Sequence, residues 1–274
     1  MNTMLDAICA ILDGEENQIT IRHLFYRLVG KNVIPKTEGA YKGLCGHLSK
    51  WRRSGEVPWG SFTDSTRWHI QHTTFDGVQD ALDTTVETYR RNLWSSQPFY
   101  LEVWVEKDAI AGIVSDRANA FGVPVFVCRG FASLSSLYDA ANTFKSQTKA
   151  GKTVIIYHFG DYDPSGVAAG QSVLKAMRDD FKVDLQFIRV AVTQEQIKRL
   201  SLPTRPTKES VHSRNWTGGE SVELDAMPPA ELRRLVENSI TQHIDVHAWQ
   251  TLQRTEEMER ETLRQMRDNF REAA

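Results

Sequence analysis

Thr153-Val154-Ile155-Ile156-Tyr157-His158-Phe159-Gly160-Asp161-Tyr162-Asp163-Pro164-Ser165-Gly166 is the stretch on which the fold turns. Its first seven residues are mostly β-branched and aromatic, with no turn signal among them, as in a strand buried on both faces. Two carboxylates follow at i and i+2. Pro164 and Gly166 then supply a turn into a helix from about Ser165 to Asp180. A buried strand that ends in acids and feeds a helix is a repeating unit of an open parallel sheet, where chemistry sits at the carboxyl ends of the strands.

The same pattern extends in both directions. Tyr100–Val105 and Val123–Cys128 before it, and Leu185–Val192 after it, are strand-like, with helical spacing over Ala109–Phe121 and Leu134–Phe144. This alternation predicts an α/β fold with a mainly parallel, Rossmann-like sheet covered by helices on both faces. The strand-end rule singles out Glu106, Cys128-Arg129-Gly130, Asp161 and Asp163. Three acids converging at strand ends repel one another unless a cation sits among them, and oxygen-only ligands favour Mg²⁺ or Mn²⁺. The other reading of Asp161-x-Asp163-Pro164 is a capped turn. Lys107 and Arg129 read either as phosphate contacts or as ion-pair partners of these acids.

Ahead of the sheet, residues 1–62 read as three short helices. The first is Met4–Leu12; Thr20 caps the second, which Gly30 ends; Thr37 caps a third from Glu38 to about Arg53. Tyr41, Leu44, Cys45 and Leu48 are expected to face inward on the third helix. From Thr20 to Gly55 there are eight basic residues and a single acid, Glu38. His47, Lys42, Lys50, Arg52 and Arg53 therefore present a basic surface, with Gly55, Pro58 and Gly60 as a turn able to hold a small wing. This predicts a winged-helix or helix-turn-helix module that contacts double-stranded DNA. The net charge of −2 excludes a wholly basic DNA-coating protein but not one basic face.

Residues 63–98 read as a helical connector, with Val78, Leu82, Val86 and Tyr89 at helical spacing, and 99–245 as the sheet domain with its extension. Residues 246–274 read as a C-terminal helix, packed on the body or on a partner subunit. Its stripe of Trp249, Leu252, Leu263, Met266 and Phe270 is interrupted by Glu256 and Glu259. Glu223 and Asp225, with Pro228 and Pro229 behind them, read as a strand exit before an Ala230–Ile240 helix. Gly218-Gly219 is an isolated turn, and no Walker A lysine motif occurs. With 41% hydrophobic residues among 274, wholesale disorder is excluded. No apolar run approaches the ~18 residues of a membrane helix, the first residues lack a signal-peptide pattern, and Cys9, Cys45 and Cys128 fall in no metal-ligand spacing. The expectation is a cytoplasmic, nucleoid-associated protein with no membrane contact.

These strings resemble a known family. Glu106 after one strand and Asp161-x-Asp163 after a later one are similar to the Toprim metal centre of topoisomerases, primases and some nucleases. Val105-Glu106-Lys107-Asp108-Ala109, Arg129-Gly130-Phe131 and Asp161-Tyr162-Asp163-Pro164-Ser165-Gly166 resemble, in order, the A subunit of topoisomerase VI and its meiotic break-forming relatives. The compact length looks most like the phage and plasmid branch. In that family a winged helix precedes the Toprim domain and carries the nucleophilic tyrosine in an Arg-Asp-x-(Tyr/Phe)-Tyr string. Here the string is Arg22-His23-Leu24-Phe25-Tyr26, with His23 where the family has Asp.

The resemblance covers most of residues 1–192. It implies Mg²⁺-dependent cleavage of duplex DNA, in which Tyr26 attacks a backbone phosphate and leaves a 5′-phosphotyrosyl link. Arg22 would assist that attack, and Glu106, Asp161 and Asp163 would hold the metal; His23 departs from the family's Asp, which removes the role of that acid and leaves His23 as a candidate proton acceptor read from the residue alone. It also implies a homodimer whose active site takes its tyrosine from one subunit and its acids from the other. A separate ATPase B-type subunit would supply ATP gating. Read as residues alone, Tyr26 beside Phe25 is equally a packed core tyrosine. Two other functions therefore stay open: a Toprim nuclease that cuts with metal-activated water, and a DNA-binding protein that does not cut.

Overall fold

The computed structural model describes residues 3–15, 18–62, 72–128, 132–209, 211–214 and 216–273. Its first three helices are α1 (Thr3–Leu12), α2 (Ile21–Gly30) and α3 (Glu38–Ser54). The Thr20 hydroxyl accepts the His23 N–H and the Thr37 hydroxyl accepts the Ala40 N–H, so both expected caps form. α3 stops at Gly55, whose φ of +84° is the left-handed turn-off that a β-carbon would strain. Leu44, Leu48 and Trp51 form its inner face. Tyr41 and Cys45, expected inward, are only half-buried, with Tyr41 edge-on to Phe25 at 5.3 Å. After α3 the described chain makes one 3₁₀ turn, Trp59–Ser61, and a single bridge between Ile19 and Phe62. The expected wing has no strand pair among the described residues.

α4 (Val78–Thr88) leads to the sheet. There follow β1 (Phe99–Val105), α5 (Asp108–Asn119), β2 (Val125–Val127), α6 (Leu134–Lys149), β3 (Thr153–Phe159), α7 (Pro164–Lys175) and β4 (Gln186–Ala191). Then come α8 (Gln194–Arg199), α9 (Pro229–Thr241) and α10 (Val246–Ala273). The four strands are all parallel, in the order β2-β1-β3-β4. The chain leaves β1 to one side for β2 and returns on the other side for β3, so the order reverses between β1 and β3. A crevice opens there at the carboxyl ends of the strands.

Strand alternation divides the core. Leu101, Val103, Val105, Ile155, Tyr157 and Phe159 join one cluster, while Trp104, Val154 and Ile156 join another on the opposite face. The first cluster runs without a break into Ile8, Leu24, Leu28, Leu44 and Leu48 of the N-terminal helices. Glu102, buried on the second face, is satisfied by the Tyr100 hydroxyl and the Trp104 indole N–H, each at 2.8 Å.

α10 lies along α4 and the segment after it. Glu256 accepts the Arg91 N–H at 3.0 Å, Glu259 accepts the Tyr89 hydroxyl at 2.6 Å, and Arg271 pairs with Asp83 at 2.9 Å. The two acids that interrupted the apolar stripe are thus the ones that grip the connector. Met258, Met266 and Phe270 point outward. Among the described residues no helix is long and apolar enough to cross a membrane.

Candidate active site at the strand ends

Glu106 follows β1 directly, held by its own N–H on the Phe159 carbonyl at 2.9 Å. Its Oε2 accepts the Asp161 N–H at 2.9 Å across the reversal point. Two glycines make room for it. A β-carbon on Gly160 would stand 2.7 Å from Glu106 Oε2 and 2.6 Å from His158 Cε1. One on Gly166 would stand 2.6 Å from the Asp161 carbonyl oxygen and 3.0 Å from Glu106 Oε2. Asp163 caps α7, its Oδ1 accepting the Gly166 N–H at 2.8 Å while Oδ2 faces Arg205 at 3.2 Å. The capped-turn reading of this acid holds. Arg189, from β4, donates to the carbonyls of Gly160 at 3.0 Å and Asp161, fixing the loop from below.

Two further acids complete the cluster. The chain after α8 returns over the site, pinned by antiparallel bridges of Tyr162 with Val222 and of Arg205 with Ser221. This delivers Glu223 and Asp225, and α2 packs against the 224–226 turn. Glu223 Oε2 accepts the Arg22 guanidinium at 2.6 Å and the Tyr26 hydroxyl at 2.7 Å. Asp225, 1% exposed, pairs with Arg22 Nε at 2.6 Å. Lys107 Nζ sits 2.9 Å from Asp161 and 3.5 Å from both Glu223 and Asp225. Sequence reasoning placed Glu223 and Asp225 outside the site. Their acid-x-acid spacing, the same as that of Asp161 and Asp163, was the available signal.

The electrostatics follow from this crowding. Burial and the neighbouring Asp161 push the Glu106 carboxyl up to about 7. Asp161 is raised as well, chiefly by burial, with Lys107 and the Leu224 N–H acting against the rise. Burial works against Glu223 too, but Lys107, Tyr26 and Arg22 outweigh it and hold its carboxyl down at about 2. Burial opposes the Lys107 ammonium, yet Asp161 and Asp225 keep it above its ordinary value. The Tyr26 phenol is raised by burial and by the Glu223 carboxylate, so it rests protonated. His23 does not join this group: it is buried, its Nδ1 lies 3.0 Å from the Thr20 hydroxyl, and burial lowers it to about 4.

The donor set suits a hard divalent cation. Glu106, Asp161 and Asp163 offer only oxygen near the reversal point, and Gly160 and Gly166 lack the β-carbons that would crowd Glu106 Oε2. In the structure these oxygens are engaged by backbone N–H groups, Lys107 and Arg205. Among the described residues no group of three such side chains already stands in a metal-holding arrangement. Of the expected DNA contacts, Lys107 lies in the site and Lys42, Lys50, Arg52 and Arg53 lie on α3. Lys42 pairs with Glu38 at 2.8 Å, Lys50 and Arg53 are exposed, and Arg52 stacks 4.3 Å over the Trp59 ring. His47 stacks on Trp51 at 5.2 Å. Arg129 lies outside the described residues.

No protein-family model and no curated protein matches the chain.

Proposed function

We propose that the chain cleaves duplex DNA by tyrosine transesterification with a divalent metal, Mg²⁺ or Mn²⁺. The observation that carries this reading is the Tyr26–Glu223–Lys107–Asp161 chain of contacts, which links a tyrosine on a basic helical unit to the acids at the sheet's reversal point. Arg22 and Lys107 place positive charge where a backbone phosphate would lie. The Tyr26 oxygen attacks phosphorus, the new P–O bond leaves a 5′-phosphotyrosyl link, and the 3′ oxygen departs and takes up a proton. In the free chain Glu223 accepts the phenolic hydrogen bond; with substrate in its place the phenolic proton passes to water. Glu106, Asp161 and Asp163 would hold the metal, which supplies charge stabilisation on the non-bridging phosphate oxygens. Lys50 and Arg53, exposed at the end of α3, serve as backbone contacts.

Tyr26 meets an acid of its own chain. In this proposal each chain therefore carries one site, and a homodimer supplies two for a double-strand break. The resemblance implies sharing between subunits instead. Equal mixtures of Tyr26→Phe and Asp161→Ala chains separate the two: adduct recovered in the mixture would show a shared site. Burial and the Glu223 carboxylate hold the Tyr26 phenol protonated, which favours the second reading, hydrolysis by metal-activated water with Tyr26 as an orienting group.

A trapping assay decides between them. End-labelled duplex is incubated with Mg²⁺ or Mn²⁺, quenched in denaturant and run with and without protease. Label that travels with protein until protease treatment, and is lost in Tyr26→Phe while DNA binding persists, supports transesterification. Cuts with free ends support hydrolysis. Binding without cuts overturns both.

A further inference from the structure

We infer that Glu223 occupies, in the free chain, the place of a DNA backbone phosphate, so that the cavity beside Tyr26 is a phosphodiester subsite filled by the protein's own carboxylate. This rests on the DNA-cleaving reading above. The cavity, about 520 Å³, carries Arg22, Lys36, Lys42, Arg205 and Lys208 on its wall, with Glu38 and Glu223 as its acids. Glu38 is tied to Lys42 at 2.8 Å, which leaves Glu223 as the acid facing the other cations.

Its two oxygens are surrounded as a phosphodiester's non-bridging oxygens would need to be. Oε2 meets Arg22 at 2.6 Å, the Tyr26 hydroxyl at 2.7 Å and Lys107 at 3.5 Å, and Oε1 meets Arg205 at 3.3 Å. None of these cations depends on Glu223 alone. Arg22 keeps Asp225 at 2.6 Å, Lys107 keeps Asp161 at 2.9 Å, and Arg205 keeps Asp163 at 3.2 Å. Among the described residues Glu223 is the one partner all three share, and another anion can replace it while each cation keeps a second carboxylate.

The test is duplex affinity in EDTA, where no cleavage occurs, read by fluorescence anisotropy over a salt series. Glu223→Gln keeps the side chain's size and its ability to accept the Tyr26 hydrogen bond. With the internal competitor neutralised, a duplex of about 20 base pairs is expected to bind about tenfold tighter. The slope of log affinity against log salt should steepen by about 0.9, one more phosphate neutralised. Glu38→Gln on the same cavity wall should change affinity less than about twofold. Equal or weaker binding by Glu223→Gln, or an equal gain from Glu38→Gln, would overturn the inference.

Inorganic phosphate distinguishes the source of the anion. A melting-temperature gain of the Glu223→Gln protein with phosphate, and no affinity gain for duplex, overturns the DNA assignment. Arg205→Gln provides a second variant: it should weaken duplex binding and flatten the slope, and an unchanged slope counts against the subsite. Loss of the covalent adduct assignment in the trapping assay would leave these binding results standing, so the two readings fail separately.

Discussion

At Glu106 a single carboxylate answers to burial, to Asp161 and to Lys107, and burial with Asp161 prevails. Its ordinary value of 4.5 rises to about 7 in the folded chain. Between those values the folded protein keeps a proton that the unfolded chain has released. Stability therefore falls as pH rises through this window, by on the order of 3 kcal/mol once it is crossed. Melting of the metal-free protein should show this decline and Glu106→Gln should lack it; parallel curves for the two proteins would contradict the assignment. Glu223 has the opposite sign: its contribution is present above about 4.5 and is lost only as pH falls toward about 2. Tyr26→Phe removes one charge-assisted hydrogen bond but leaves Glu223 paired with Arg22. It should cost about 1–2 kcal/mol in urea unfolding. Gly160→Ala should cost more than a surface change, about 1–3 kcal/mol, because its β-carbon meets both His158 and Glu106.

Among the elements, α10 shows which kind of contact holds a helix in place. Trp249 is 8% exposed and packs edge-on against Trp94 at 5.4 Å. Glu259, by contrast, lies at the surface with Tyr89 and Arg91. Trp249→Ala should therefore destabilise by about 3–5 kcal/mol and Glu259→Gln by less than about 1 kcal/mol. Denaturant midpoints of the two variants check the ranking, and a larger loss for Glu259→Gln would reverse it. The sequence made most elements legible because their causes are local. Thr20 and Thr37 announce their helices, and the apolar run Thr153–Phe159 is a strand end to end. The role of Glu256 and Glu259 was not legible, since a carboxylate in an apolar stripe reads as an interruption until the Tyr89 and Arg91 groups that meet it are known.

In the whole molecule, the N-terminal helices and one face of the sheet share a single core. Far-ultraviolet circular dichroism and tryptophan fluorescence should therefore report one coincident unfolding transition, and Leu24→Ala should shift both signals together. A separate early transition of the helical unit would show that the shared core is weak. This packing also explains why the site was only half legible. Glu106, Asp161 and Asp163 stand at strand ends, where a general rule points. Glu223 and Asp225 lie on an irregular return held by two isolated bridges, and no periodicity marks such a segment. Five carboxylates there, Glu106, Asp161, Asp163, Glu223 and Asp225, face four cations, Arg22, Lys107, Arg189 and Arg205. Fully ionised, the cluster carries one net negative charge; a phosphodiester in the place of Glu223 would leave that balance unchanged, and a divalent ion would carry it past neutral by one. Under the proposed function metal and DNA would be thermodynamically linked ligands, each changing the other's affinity by the same factor. Calorimetric titration of Mg²⁺ with and without duplex, and of duplex with and without Ca²⁺, measures that factor from both sides.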